Sequence, residues 1–105
     1  MLANHVFKGV ASMENINFDL ELRIDSVTDN EFTFSQILSQ NGEILEQSGG
    51  QGTFSQVDDK TYQVVFHDQL TNFVAEYSPS LGYFVGTAEQ KDGSGKGTLN
   101  LQCTN

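Results

Sequence analysis

Ile16-Asn17-Phe18-Asp19-Leu20-Glu21-Leu22-Arg23-Ile24 alternates apolar and polar residues without a break. On an extended chain Ile16, Phe18, Leu20, Leu22 and Ile24 lie on one side, and Asn17, Asp19, Glu21 and Arg23 on the other. Period two marks a strand with one buried face and one wet face, and no helical period fits it. The chain is therefore read as antiparallel sheet, with this as its most committed strand.

His5 to Ala11 reads as a strand before it, with residues 12–15 polar enough to turn. Asp29 and Asn30 end the central strand near a turn, and Glu31 to Gln40 returns with Phe32 and Phe34 inward. Asn41-Gly42 follows, the pair that supplies both positive-φ residues of a type I′ hairpin. That turn sets Ser39 opposite Ile44, Leu38 opposite Leu45 and Phe34 opposite Gly49.

The glycine-rich run 48–52 reads as the middle of a bent fourth strand. A turn at residues 58–60 places Phe54 opposite Val64 and Gly52 opposite Phe66. Glycine there makes room for large neighbours. Leu45 and Phe54 differ in parity, so one extra residue is required, and a bulge is expected near Gly49 and Gly50. Further strands are read at Thr61 to His67, Asn72 to Tyr77, Leu81 to Ala88 and Gly97 to Cys103.

About eight short strands joined by short turns predict one all-β domain over residues 1–105. The expected form is an antiparallel up-and-down meander closed into a barrel, with a β-sandwich as the alternative. Closure removes the unpaired edges that a strand-rich protein must otherwise guard. The outline resembles lipocalins and avidins. The lipocalin Gly-x-Trp signature is absent, as the chain has no tryptophan, so no family is assigned.

Composition narrows the function. Five Lys and Arg face fourteen Asp and Glu, a formal net charge of −9. Nucleic acid and anionic membrane surfaces are poor partners for such a chain, whereas a basic protein is a suitable one. The sole cysteine, Cys103, allows no disulfide within the chain. That favours a reducing, cytoplasmic compartment, and the opening residues carry no apolar stretch of signal-peptide length.

Motifs for chemistry are few. Gly93-Ser94-Gly95-Lys96-Gly97-Thr98 resembles the phosphate loop of adenylate kinases over six residues. Gln90 stands where the first glycine belongs, and Leu99 and Leu101 continue as a strand where a helix is needed. The string is read as a hairpin loop. His5 and His67 lie on different strands without ligand spacing, so no metal or other cofactor is expected.

The favoured reading is a small non-catalytic binding protein that holds an apolar ligand in the barrel interior or mouth. Phe18, Phe34, Tyr62, Phe66 and Tyr83 form its expected aromatic lining, with Tyr77 and Glu76 as polar groups that orient the guest. The alternative is an acidic interaction module whose stripe of Asp19, Glu21 and Asp25 meets a basic partner.

Overall fold

The computed structural model describes residues 4–104. Eight strands run in chain order: β1 (Val6–Met13), β2 (Ile16–Thr28), β3 (Glu31–Gln40), β4 (Glu43–Gln56), β5 (Tyr62–His67), β6 (Thr71–Tyr77), β7 (Tyr83–Gln90) and β8 (Lys96–Cys103). Each pairs antiparallel with the next, and β8 returns to β1, so the sheet closes as an up-and-down barrel. The seam between β1 and β8 runs from Phe7↔Cys103 to Met13↔Gly97.

The alternation in β2 works as its pattern demands. Leu20, Leu22 and Ile24 are buried inside the barrel, while Asp19 and Arg23 are exposed outside. Tight turns fix the strand registers. Asn41 and Gly42 have φ of 54° and 82°, the two left-handed residues of a type I′ turn. Glu14 and Asn15, at 49° and 69°, make the β1–β2 turn in the same way.

The β3–β4 register corrects one expectation. Ser39 does face Ile44, but Leu38 faces Glu46, and Phe34 faces Gly50 rather than Gly49. The extra residue is Leu45, beside the hairpin, where its side chain stays about half exposed. Gly49 and Gly50 pair regularly with Ser35 and Phe34. They are not the bulge: Gly50 is committed to a close approach, its missing Cβ leaving space that the His67 carbonyl and the Phe34 ring take up. From Gly52 onward the expected pairs hold, with Gly52 opposite Phe66 and Phe54 opposite Val64. A second bulge, at Asp25 between Ile24 and Ser26, bends β2.

The interior is filled unevenly. Turns 29–30, 57–61 and 78–82 mark one end, and there aromatics plug the barrel. Phe7 meets Phe84 at 4.9 Å and Tyr77 edge-on at 5.2 Å, and Phe54 meets Tyr62 at 6.0 Å. In the middle Phe66 stacks on Phe73 at 4.6 Å and takes the edge of Phe34 at 5.2 Å. Such pairs add to the burial of their large apolar area. The other end, with turns 14–15, 41–42, 68–70 and 91–95, is packed differently.

Candidate functional site

At that second end the barrel holds a cavity of about 230 Å³. Phe73 forms its inner boundary, and Ala11, Leu20, Ala88 and Leu99 are its buried walls. Half-buried Met13, Phe18 and Leu38 lie nearer the mouth, beside the exposed Glu46. Two of the wall positions are alanines. An eight-stranded barrel is just wide enough for side chains to fill, so small residues at inward positions leave space.

Three buried polar residues face this space: Gln36 and Asp68, each 7% exposed, and Thr71 at 9%. Gln36 occupies an inward position of β3, where Phe32, Phe34 and Leu38 would otherwise read as an unbroken apolar face. Its Nε2 donates to Asp68 Oδ2 at 2.6 Å and to Ser48 Oγ at 2.9 Å. Asp68 Oδ1 accepts the backbone N–H groups of Leu70 and Thr71 at 2.9 and 2.8 Å, which shapes the β5–β6 turn. Gln36 Oε1 is buried and has no hydrogen-bond partner among the described residues.

The residues expected to line the site divide into three groups. Phe18 does line the cavity. Phe34, Phe66 and Tyr77 are buried in the packed core, and half-buried Tyr62 packs against that core at the plugged end. Burial also pushes the Tyr77 phenol above the ordinary tyrosine pKa. Glu76 and Tyr83 are placed outside the barrel, which corrects the inward orientation expected for them. Tyr77 pairs with Phe84 and Ala75 with Gly86, so the inward set of β7 is Phe84, Gly86 and Ala88. Tyr83 instead donates its hydroxyl to Glu76 Oε1 at 3.0 Å on the outer surface, and that bond raises its pKa.

The remaining cavity residues were missed by the sequence reading. Gln36 carried a signal, as the one polar residue among the inward positions of β3 up to Leu38. Ala11 and Ala88 carried none, because a small residue at an inward position reads as ordinary packing.

No known family's sequence pattern matches the chain, and no curated protein matches it in sequence. Among solved structures, the chain is similar to a redesigned beta barrel, with a TM-score of 0.65 and 13% identity over 99% of this chain and 92% of that one. The likeness is one of fold. It agrees with the closed barrel described above and carries no information on a ligand.

Two features of the outer surface bear on where a partner could sit. A concavity of about 370 Å³ crosses the outside of β2 to β5, between exposed residues such as Glu31, Thr53 and His67. It is larger than the interior cavity, but its walls are largely exposed, and among the described residues no buried polar group lines it. The acidic stripe is partly neutralised. Glu21 lies 3.4 Å from Lys8 and 3.9 Å from Arg23, and Asp25 accepts a hydrogen bond from Ser35.

Proposed function

We propose that this chain is a small non-catalytic binding protein whose site is the cavity at the open end of the barrel. The observation that carries the reading is the uneven filling of the interior. One end is closed by touching aromatic rings, while the other keeps about 230 Å³ between apolar walls and a few fixed polar groups. That combination is what small-molecule sites share.

Volume sets the size of the guest. An apolar cavity of about 150 Å³ accepts benzene, and drug-sized ligands occupy about 300 Å³ or more. About 230 Å³ suits one substituted or fused ring. Exposed Ile16, Ile44, Leu45 and Leu70 stand at the same end and give an apolar guest a compatible approach. Val57 and Leu81 are similarly exposed at the plugged end, so exposed aliphatic residues do not choose the site. The cavity does.

The test is a thermal-shift and calorimetric titration with indole. A ligand at ten times its Kd stabilises by about 1.4 kcal/mol, a rise of several degrees for a domain of this size. Ala88→Phe places a ring where the guest would sit, and in that variant the indole shift disappears. No shift in the unaltered protein, or an equal one in Ala88→Phe, rejects this site.

A further inference from the structure

We propose that the cavity selects small cationic guests: an amine carried on an apolar body of about one ring. This rests on the binding reading above and states which guests the site prefers.

Among the described residues, spare acceptors outnumber spare donors at the cavity: Gln36 Oε1 and the carboxylates of Asp68 and Glu46 accept, and the one uncommitted amide donor is Nε2 of half-buried Gln90, whose Oε1 takes the Thr71 hydroxyl at 3.5 Å. Gln36 commits its Nε2 to Asp68 and Ser48. Turning its amide over would set Oε1 against the Asp68 carboxylate oxygen, acceptor against acceptor, in place of the 2.6 Å hydrogen bond. Oε1 is therefore held as a buried acceptor without a donor, an arrangement that costs free energy until a donor arrives. Gln36 is among the residues that line the cavity, which places this acceptor beside a guest.

Asp68 adds charge. It is 7% exposed, and both its oxygens accept hydrogen bonds. No cation pairs with it among the described residues, whose ion pairs are Lys8–Glu21, Arg23–Glu21 and Lys96–Glu89. Glu46 brings a second carboxylate to the mouth, and neither Lys nor Arg lines the cavity. Lys91 and Lys96 belong to the same end, but both are exposed. An ammonium group has three donors and a positive charge. It meets the unpaired acceptor and offsets the buried carboxylate together, and the net charge of −9 draws cations toward the mouth.

The experiment is calorimetric titration at near-physiological salt, which screens surface attraction. The probes have nearly the same shape: benzylamine, benzyl alcohol and ethylbenzene, with phenylacetate as the anion. Benzylamine is expected to bind about ten-fold tighter than ethylbenzene, the order set by a hydrogen bond to a charged group. Benzyl alcohol should fall between them, and phenylacetate should not bind. Asp68→Asn keeps an oxygen for the Leu70 and Thr71 amides and gives Gln36 a donor to face, so the glutamine amide turns over. The amine preference then falls to within about two-fold, while ethylbenzene binds as before. If Asp68→Asn does not fold, Glu46→Gln at the exposed mouth replaces it, and should weaken benzylamine alone.

Ethylbenzene binding as tightly as benzylamine overturns the inference and leaves the binding reading standing. An amine preference unchanged by the variant used, or one that survives Ala88→Phe, also overturns it, since the cation is then held elsewhere. If none of the probes binds, both readings fail.

Discussion

Replacing Gly52 with alanine tests how tightly the filled half of the barrel is packed. Gly52 is buried opposite Phe66, and an added Cβ would lie 2.5 Å from Phe32 Cζ and 2.6 Å from Phe66 Cβ. Carbon atoms rest at about 3.5–4.0 Å, so each contact overlaps by roughly 1 Å. The ring of Phe32 has Phe34, Phe54 and Phe66 around it, with centroids 6.2 to 6.3 Å away. The Phe66 Cβ is fixed to its own strand and cannot swing aside. Overpacking of this kind costs about 1–3 kcal/mol. Gly52 is not in the left-handed region, so alanine also restricts the unfolded chain, a gain of about 0.4–1 kcal/mol. Overpacking wins, and the net loss is about 1–2 kcal/mol. Urea unfolding followed by circular dichroism should show the midpoint falling by roughly 1 M for an m-value of about 1–3 kcal/mol/M. Ser55→Ala, exposed on the same strand, should barely move it. The double variant with Phe32→Leu should lose less than the sum of the singles, because removing the ring relieves the clash. A midpoint unchanged by Gly52→Ala, or strict additivity with Phe32→Leu, would refute the packing argument.

Two further outcomes follow from the turns. Gly42 has φ of 82° and nothing near its missing Cβ, so Gly42→Ala costs only the left-handed penalty; urea melts should show about 1–2 kcal/mol, with Gly42→Asn recovering part of it. Asp58 is held below its ordinary pKa of 3.8, first by the Lys60 backbone N–H and then by the Thr61 side chain, and Asp92 by the Ser94 side chain and N–H. Folded values below the unfolded one mean that the native state binds fewer protons. Their stabilisation is full above pH 3.8 and is lost as pH falls through the folded values. Acid denaturation of Asp58→Asn or Asp92→Asn, followed by circular dichroism, should show a shallower loss of stability there than the unaltered chain.

How much of this was written in the sequence depends on how each residue signals. The β2 alternation and the Asn41-Gly42 pair are local, and local physics settles them. The need for an extra residue in β4 was also legible, since Leu45 and Phe54 disagree in parity. Its position was not. Glycine draws attention as a bulge former, whereas Gly50 is needed where the His67 carbonyl and the Phe34 ring crowd the strand. The facing of β7 was ambiguous because Tyr83 and Phe84 are both aromatic. Pairing with Tyr77 across the sheet decides it for Phe84. The cavity was the least legible feature, because alanines make it by what they lack, and of its polar residues only Gln36 interrupts an otherwise apolar inward face within a strand.

If the open end of the barrel is the binding site, a small apolar guest must perturb the residues around the cavity and spare the outer surface. Methyl carbon–proton correlation spectra during an indole titration read both places at once. Saturable shifts are expected at Ala11, Met13, Leu20, Ala88 and Leu99, which line the cavity, with Ile24 and Val64 of the packed core nearly still. Shifts confined to outward Val65 and Val74, or no saturable shift at the cavity methyls, would rule out the open end as the site.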